Sequence, residues 1–423
     1  MKSDLNGILR DVRAISFPRR TGSPREAQAQ DYIVNRFRSL GMEPREEGFS
    51  FTPVLGLLSK GLLLIVLLFL AALHFLSLFY PFLELVLSVC ILTLALGFLW
   101  GRPMVALLGW ALFKKIPLLG KLNSKNIIAA WPSELGMQNS EFGISNPHSA
   151  FRNPQSEGHP PEPATQIYIL AHYDSKSQTL PLGARIPLVV ALFLSTLFLA
   201  FYHLLSPWVG LPVQCMIERV SFITAFTGGL VLLWTKTRNL SPGAIDNASG
   251  VAVMLQLAEA IKSEAQRFKG LRFHFVATGA EEEGLVGAFW LCKSVGAYGD
   301  TPLHFINLDG VGTKGRIYCT DKIGIHPSSQ RQKGFLSLIR ETARREGLEV
   351  YFSPVVMGAM ADHFPFVASG YNAVTFSTVS RCSLWVHTPW DAPERVEVEG
   401  METVGRLILE TLKTCKSGAG LTP

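Results

Sequence analysis

Five residues of metal-ligand type lie just after short apolar runs in this 423-residue chain. They are His172, with Asp174 two positions later, and then Asp246, Glu282, Asp309 and His387. Imidazole nitrogen combined with carboxylate oxygen suits zinc, whereas oxygen ligands alone would suit magnesium or calcium. Two histidines and three carboxylates around one pocket can hold two divalent metals, and two metals held in this way can hydrolyse an amide bond.

Two further assignments follow from the neighbours of these residues. One carboxylate must be shared if two metals are bound, and Asp246 is our choice because it precedes the apolar periodic segment Val251–Ile261. It therefore lies in a turn that enters a helix, where backbone N–H groups stabilise negative charge. Adjacent glutamates cannot point in one direction, so we predict Glu282 as a metal ligand and Glu281 as the general base. The base takes a proton and later gives it to the leaving amine.

The elements that must position these residues are indicated by short apolar runs that alternate with segments of helical length. The runs cover 166–171, 272–278, 303–308 and 373–377. This alternation predicts an α/β fold with a mixed, mostly parallel central sheet flanked by helices. Ligands of such sheets bind beyond the carboxyl ends of the strands, so the candidate residues should converge on one edge.

Six motifs occur in one order along the chain: AHYDS at 171–175, GAIDNASG at 243–250, GAEEEGLVGA at 279–288, INLDGVG at 306–312, ADHFPF at 361–366 and HTPWD at 387–391. Together they resemble the co-catalytic zinc aminopeptidase family. That family includes bacterial leucyl aminopeptidases and, more distantly, glutamate carboxypeptidase and glutaminyl cyclase. The resemblance implies a zinc exopeptidase-like fold, a peptide substrate and two zinc ions.

The resemblance also implies a role for each candidate residue. One zinc would be held by His172, Asp246 and Asp309, and the other by Asp246, Glu282 and His387. Glu281 would be the general base, and Asp174 would orient His172 without binding metal. His363, in the ADHFPF motif, is as compatible with a substrate-side role as with a structural one.

Each motif on its own has a simpler explanation. His172 and Asp174 could form a surface pair, Glu281–Glu283 a solvated helix start, and Asp246 a helix cap. Their occurrence in one order favours a joint site. A metallocarboxypeptidase is the nearest alternative, although no arginine cluster for a substrate carboxylate is identifiable. A glutaminyl cyclase-like enzyme would use one zinc, and a non-catalytic membrane receptor or scaffold would be expected to have lost metal ligands.

Two pairs of long apolar segments interrupt the resemblance. They cover Gly61–Tyr80, Pro81–Trp100, Ile186–Leu205 and about Pro212–Trp234. Each is long enough to cross a bilayer, so we predict two helical hairpins with tips at Tyr80–Pro81 and Ser206–Gly210. Buried core helices are the alternative. They are disfavoured because charged residues make up only 17% of the chain, against about 25% in typical soluble domains.

Polar residues in and beside these segments are predicted at the membrane surfaces. Glu218 and Arg219 interrupt the fourth segment and should lie at the level of the headgroups. His74 and His203 are also expected at an interface. Pro103–Phe113 is too short to cross and is followed by two lysines, which indicates an interfacial helix.

The domain organisation follows from these interruptions. Residues 1–52 form the N-terminal helical part of the peptidase domain, 53–121 the first hairpin with the interfacial helix, 122–180 a second part of the domain, 181–240 the second hairpin, and 241–423 the part with most metal ligands. Each insertion must cross the membrane an even number of times for the ligands to meet.

Ser23–Glu26 is predicted to be a capping box that begins a helix running to about Leu40. The polar segment 136–165 is predicted to be a disordered loop.

Basic residues decide the predicted orientation. The net charge is +6, but the lysines and arginines cluster beside the apolar segments, which indicates membrane lipid rather than nucleic acid as a partner. The two tips carry no basic residue, so the positive-inside rule predicts a multi-pass protein with its catalytic domain on the cytoplasmic face.

The segment Met1–Phe17 is polar, which predicts no cleavable signal peptide. The six cysteines are scattered, which predicts no disulfide framework. The oligomeric state and the side-chain preference stay open.

Overall fold

An eight-stranded sheet forms the centre of the protein, whose structure is a computed structural model. The structure describes residues 5–76, 79–114, 120–132, 165–210, 215–295, 303–323, 330–352 and 360–415. The strands are β1 (Arg45–Phe51), β2 (Leu122–Trp131), β3 (Thr165–His172), β4 (Ser177–Gln178), β5 (Thr237–Arg238), β6 (Leu271–Thr278), β7 (Leu303–Leu308), β8 (Arg316–Thr320), β9 (Val350–Phe352) and β10 (Asn372–Val379). The predicted loop over 136–165 lies outside the described residues, except that Thr165 begins β3.

The sheet is mixed and mostly parallel, as predicted. Its strand order is β1-β2-β6-β3-β7-β10-β8-β9, and β4 and β5 form a separate ribbon. Strands β6, β3, β7 and β10 pair in parallel, whereas β1, β2 and β8 are antiparallel to a neighbour. Every residue of β3, β6 and β7 is buried, which explains why these strands read as continuous apolar runs.

Helices cover both faces of the sheet. One face carries α1 (Leu5–Ile15), α2 (Pro24–Ser39), α8 (Ser249–Ser263), α10 (Gln330–Arg345) and α12 (Val398–Thr414), and the other carries α5 (Arg102–Leu112), α9 (Val286–Val295) and α11 (Phe364–Ala368). Alternate residues of each strand point to opposite faces. Ile167 and Ile169 of β3 therefore pack with the first group, and Tyr168 and Leu170 with the second.

Helix α2 begins at Pro24 after the N-cap residue Ser23, as predicted, but the predicted capping box is wrong. The Ser23 side chain makes no cap hydrogen bond. Glu26 is only 4% exposed, and its carboxylate accepts from the Gly22 N–H and the Ser124 hydroxyl instead. Burial has drawn this carboxylate towards the sheet, away from the position that a reciprocal box requires.

The remaining long helices form a four-helix bundle: α3 (Leu55–Leu76), α4 (Pro81–Trp100), α6 (Leu182–Val209) and α7 (Met216–Leu233). Within the described residues, α3, α6 and α7 are long and apolar enough to cross a membrane, and α4 contributes a shorter apolar stretch, Phe82–Gly97. Only 11%, 22% and 28% of the apolar windows of α3, α6 and α7 are buried. Most of the apolar surface of these three helices is therefore left uncovered by the described residues.

Two hairpin boundaries differ from the prediction. Helix α3 begins at Leu55, ahead of Gly61, and α6 continues to Val209 through the segment predicted as a tip. Pro207 lies inside α6, where it cannot donate to the carbonyl of His203. The Ser206 hydroxyl oxygen lies 3.3 Å from that carbonyl oxygen, but Glu84 Oε1 is the closer acceptor for its proton, at 2.9 Å.

A buried polar cluster joins the two hairpins. His74 Nδ1 lies 2.7 Å from Glu218 Oε1, and His203 Nε2 lies 3.4 Å from the same oxygen. On its other side, His203 Nδ1 lies 2.6 Å from Glu84 Oε1, which also accepts from Ser206 at 2.9 Å. Glu218 and His203 are fully buried. Glu218, His74 and His203 therefore contact one another inside the bundle, close to the end of α3 and the start of α7, and their position at a membrane interface stays a prediction.

Helix α5 (Arg102–Leu112) corresponds to the interfacial helix predicted over Pro103–Phe113. Val105, Leu108 and Leu112 pack into the peptidase domain. Leu107 and Trp110 are 55% and 60% exposed on the opposite side. The helix thus has one apolar face buried by protein and a second apolar face that no described part of the chain covers.

Candidate metal centre

The carboxyl ends of the parallel strands bring the candidate residues together. His172 is the last residue of β3, and Asp309 follows β7 directly. Glu281 and Glu282 follow β6, and His387 follows β10 after a short helical turn. Asp246 lies just ahead of α8. The predicted convergence on one sheet edge is therefore observed.

Two groups of ligand-type atoms form at this edge, and both include Asp246. His172, Asp246 and Asp309 make one group, and Asp246, Glu282 and His387 make the other, with the donor atoms of each group within 4.8 Å of one another. His172 Nε2 lies 3.0 Å from Asp246 Oδ1 and 3.8 Å from Asp309 Oδ1. His387 Nε2 lies 3.1 Å from Asp246 Oδ2 and 3.1 Å from Glu282 Oε1. The two oxygens of Asp246 thus face different histidines.

The donor chemistry of these groups fits zinc. Each group offers one imidazole nitrogen and two carboxylates, a mixture that zinc accepts readily. Asp246 Oδ1 is buried and meets no suitably oriented hydrogen-bond donor among the described residues. A buried carboxylate oxygen without a donor is costly in a protein interior, and a bound cation would remove that cost.

Neighbouring backbone and side chains fix Asp246 in place. The Asp391 carboxylate accepts from the N–H groups of Ile245 at 2.6 Å and of Asp246 at 3.3 Å. Asn247 Nδ2 donates to the carbonyl of Leu308 at 2.7 Å, and Asn247 Oδ1 accepts from the Gly310 N–H at 3.2 Å. Asn247 therefore ties the Asp246 turn to the end of β7, beside Asp309.

The two glutamates after β6 have opposite electrostatic surroundings. Burial raises the pKa of Glu281 well above the usual carboxyl range, and the nearby charges of Glu282 and Asp309 add to this rise. Burial also opposes ionisation of Glu282, but His387 and Lys176 outweigh it and hold the pKa of Glu282 at about 2. Glu281 is therefore suited to exchange protons, whereas Glu282 stays anionic.

Strained backbone holds these glutamates in place. Ala280 and Leu285 have φ angles of 57° and 59°, values that residues other than glycine seldom adopt. The carbonyl of Glu281 accepts from the N–H groups of Gly284 at 2.8 Å and Leu285 at 2.7 Å. His387 has a φ of 62°, so both segments that carry candidate residues contain such backbone.

Asp174 contacts His172 mainly through its main chain. His172 Nδ1 lies 3.2 Å from the Asp174 carbonyl oxygen, and the nearest carboxylate oxygen is 3.5 Å away. The carboxylate instead accepts from the N–H groups of Glu281 and Glu282, each at 3.1 Å. Thr21 donates to it as well, at 3.0 Å. Asp174 thus positions the backbone of both glutamates, a role that the sequence did not indicate.

Two cations at the centre were not predicted. Lys176 Nζ lies 2.6 Å from Glu282 Oε2, and one guanidinium nitrogen of Arg185 lies 3.2 Å from His387 Nδ1. Lys176 immediately follows the AHYDS motif, and Arg185 belongs to the first turns of α6. The only sequence signal for Arg185 is that it is the last charged residue before an apolar segment.

Buried acids and a histidine surround the ligand groups. Burial raises the pKa of Asp362 and of Asp391 to about 7. His363 is 1% exposed, its Nδ1 lies 2.6 Å from Thr375 Oγ1, and burial lowers its pKa to about 4. The structural alternative for His363 is thus the one that its contacts favour. His274 and His304 are also buried, each within its strand.

A known family matches the C-terminal part of the chain. Residues 227–412 match the description "Peptidase family M28". The chain carries an M28 peptidase domain. This match confirms the resemblance predicted from the motifs for the part of the chain that it covers.

Relatives and solved structures agree with this assignment. Aminopeptidase YwaD of Bacillus subtilis (strain 168) is 29% identical over 174 residues, which are 40% of this chain and 36% of that protein. An aminopeptidase from Aneurinibacillus sp. strain AM-1 has a similar fold, with a TM-score of 0.53 at 16% identity over 97% of this chain and 93% of that one. A glutaminyl cyclase from Fimbriiglobus ruber gives a TM-score of 0.52 at 14% identity, over 98% of this chain and 97% of that one.

Proposed function

We propose that this M28 chain is a membrane-anchored, zinc-dependent aminopeptidase that releases N-terminal residues from peptides. The observation that carries the proposal is the pair of ligand groups that share Asp246 beside the buried carboxyl of Glu281. His172, Asp246 and Asp309 would hold one zinc, and Asp246, Glu282 and His387 the other. When bound, zinc polarises a scissile carbonyl and makes water more acidic.

The side chains of this chain account for the proton transfers. Glu281 Oε2 lies 3.9 Å from His172 Nε2, so its carboxyl is next to the first ligand group without belonging to either. Its raised pKa lets it accept a proton from the attacking water and return that proton to the leaving amine. Asp174 keeps Glu281 in place through its backbone N–H.

An aminopeptidase is favoured over the other candidate activities. The relative that shares 29% identity over 174 residues is named an aminopeptidase, which favours that activity here. A glutaminyl cyclase-like reaction would need only one metal, whereas residues for two are present. A non-catalytic scaffold would have no reason to keep Glu281 buried and held beside both groups.

The membrane part of the proposal is that α3, α4, α6 and α7 cross the bilayer. The bundle supports this because its outside is apolar and its polar residues lie inside. Leu68, Phe82, Leu194 and Ile223 are 59%, 78%, 57% and 57% exposed. Tyr80 and Trp208 at one end of the bundle, and Trp110 and Trp234 at the other, match the aromatic belts of two membrane surfaces. The catalytic domain would face the cytoplasm.

A substrate screen tests the proposal. Zinc-loaded protein is assayed with amino-acid 4-nitroanilides, with N-blocked peptides that have free carboxyl ends, and with peptides that begin with glutamine. We expect hydrolysis of the anilides only. Release of C-terminal residues from blocked peptides would indicate a carboxypeptidase, and cyclisation of glutamine without hydrolysis would indicate a cyclase. Asp246→Ala is the control: it should lose metal and activity together, by metal analysis of the same sample.

A further inference from the structure

The second hairpin leaves the sheet at the edge that carries the metal ligands. Strand β3 ends at His172, and the chain then enters β4. This strand pairs with β5 in the two-stranded ribbon at the base of the hairpin. Helix α6 follows β4, and α7 returns the chain into β5. The N–H of Gln178 in β4 donates to the carbonyl of His387 at 2.9 Å. The base of this hairpin is therefore part of the wall of the metal centre.

The register of the sheet places the first hairpin at the same edge. Strand β2 is antiparallel to β6, with Ile127 opposite Ala277, so β2 begins on the side where β6 ends. Phe51, the last residue of β1, pairs with Leu122, the first residue of β2. The chain leaves for α3 after Phe51 and returns at Leu122. Both hairpins thus project from the catalytic edge of the sheet.

A direct contact joins the membrane helix α6 to the metal centre. Arg185 lies 3.2 Å from His387 Nδ1, and the opposite ring nitrogen of His387 faces Asp246 and Glu282. The apolar run of α6 begins at the next residue, Ile186. Arg185 therefore marks the boundary of the hydrocarbon layer and touches a ligand-type residue at the same time.

Helix α5 makes a second contact, on the other side of the centre. Ala280 and Leu285, which flank the glutamates, pack in one cluster with Leu108 and Leu112 of α5. Gly284 borders this helix as well, because a Cβ added there would lie 3.5 Å from a side-chain carbon of Leu108, an ordinary van der Waals distance. The uncovered apolar face of α5 points away from the glutamates. A bilayer that covers this face would lie one helix thickness below Glu281.

Exposed apolar side chains continue this surface around the centre. Leu384 and Trp390 flank His387 in the chain and are 47% and 55% exposed, and Leu240 beside β5 is 50% exposed. Leu384 lies against Gly183 at the start of α6. A rim of this kind suits lipid or an apolar peptide segment better than bulk water.

We propose that the substrates are peptides held by the bilayer, with an apolar or lipid-bearing segment in the membrane and a free N-terminus just above it. This inference rests on the proposed function and on the membrane insertion of the bundle. The catalytic edge faces the lipid, so a peptide that projects from the membrane reaches the centre after a short distance. Soluble peptides must instead enter between the domain and the membrane surface.

The distance between the metal centre and the hydrocarbon boundary of the bilayer is expected to be short. A headgroup layer is about 5 to 7 Å thick on each side of a hydrocarbon core of about 30 Å. Helix α5 separates the glutamates from that surface, and a helix with its side chains is about 10 to 12 Å across, so the centre should lie about 10 to 15 Å above the hydrocarbon boundary. An extended chain covers about 3.3 to 3.6 Å per residue. About four residues should therefore separate the last bond that is cleaved from the membrane anchor.

The test measures the length at which trimming stops. The full chain, loaded with zinc, is reconstituted in phosphatidylcholine vesicles with peptides coupled at their C-termini to phosphatidylethanolamine through a hydrophilic stretch of sixteen residues. Mass spectrometry reports the stub left on the lipid. We expect a stub of six residues or fewer. A longer stub, with cleavage of the same peptide in soluble form, overturns the inference alone. Absence of cleavage of both forms overturns the proposed function and this inference with it.

A second readout is independent of activity. Leu384→Cys and the matched control Lys269→Cys are each labelled with bimane in a background where the partly exposed Cys90, Cys215 and Cys382 are serine. Lys269 is exposed and precedes β6 at the opposite edge of the sheet. Lipids with a nitroxide on the headgroup should quench the label at position 384 at least threefold more than at 269. Equal or weaker quenching at 384 overturns the inference.

Discussion

At the scale of single residues, two adjacent glutamates divide the work of the centre through their neighbours. Glu282 has His387 3.1 Å away and Lys176 2.6 Å away, and both neighbours lower its pKa. Glu281 has no comparable cation partner among its described contacts apart from His172 at 3.9 Å, so burial dominates its pKa. Identical side chains one residue apart are thus suited to different roles, metal ligand and base.

This division predicts separate losses in the two variants. Glu281→Gln should keep its metal and lose activity by about 10²- to 10⁴-fold, because a positioned acid and base is removed. Glu282→Gln should weaken metal binding, because a ligand-type carboxylate is replaced by a neutral amide. Metal content by mass spectrometry and anilide hydrolysis are measured on the same preparations.

A control variant lies in the same loop. Glu283 pairs with Arg20 at 2.8 Å and belongs to neither ligand group. Glu283→Gln should therefore keep its metal and most of its activity. If Glu281→Gln lost metal while Glu282→Gln kept it, the roles of the two residues would be exchanged.

Glu26 allows a prediction about pH. Burial raises its pKa from an ordinary value of 4.5 to about 7, so the folded state holds a proton that the unfolded state releases. The stabilisation is complete below pH 4.5 and is lost as the pH rises through 7. The full difference is about 3 kcal/mol at most. The melting temperature should therefore fall more steeply between pH 5 and 8 in the native protein than in Glu26→Gln.

The matched control for this experiment is the exposed Glu43, which pairs with Arg38 at the surface. Glu43→Gln should follow the pH dependence of the native protein. A Glu26→Gln variant with the same slope as the native protein would show that Glu26 does not hold the extra proton.

The ligand-type residues could be predicted from sequence because each belongs to a local motif, which follows a strand or, for Asp246, precedes α8. Lys176 and Arg185 could not be, because their role depends on where the second hairpin leaves the sheet. Asp174 was predicted to orient His172, yet its carboxylate holds the backbone of Glu281 and Glu282. Such a contact between distant segments leaves no pattern in a single sequence.

At the scale of secondary structure elements, apolar length predicted the bundle helices and missed their polar interior. A leucine-rich run of about twenty residues indicates a membrane helix whatever the surrounding sequence is. The partners of His203, by contrast, come from α4 and α7, on both hairpins. Interiors of membrane bundles lack a hydrophobic driving force, so hydrogen bonds between helices can contribute to their association. We infer that the cluster holds the two hairpins together.

This inference predicts a loss of stability in a cluster variant. Glu218→Leu removes the oxygen that faces both His74 and His203, and it leaves each histidine with one partner fewer. The bundle should lose about 1 kcal/mol, and the melting temperature in detergent should fall by several degrees. Thr224→Val, on the exposed side of α7, is the matched control and should change little. A melting temperature of Glu218→Leu equal to that of the control would contradict this role.

At the scale of the whole molecule, the order of elements could be predicted and their relative placement only in part. Alternating strands and helices indicated the sheet, and the need for the ligands to meet indicated that each insertion returns to its starting side. That both insertions start at the catalytic edge follows from the register of β1, β2 and β6. Register depends on pairing between segments far apart in the chain, so local patterns did not reveal it.

The orientation of the molecule gives the last prediction. Lys60, Arg102, Arg185, Lys236 and Arg238 lie at the domain ends of the hairpins, and basic residues are retained on the cytoplasmic side. The far ends carry Tyr80 and Trp208, which are 60% and 80% exposed. Ser206 is buried, so a cysteine at that position would not be accessible to a label. Trp208→Cys therefore reports on the far end of the bundle, and Lys269→Cys reports on the peptidase domain. An impermeant maleimide on intact cells should label position 208 and leave 269 unlabelled until the cells are opened. Labelling of 269 alone would invert the orientation, and labelling of both in intact cells would contradict an even number of crossings.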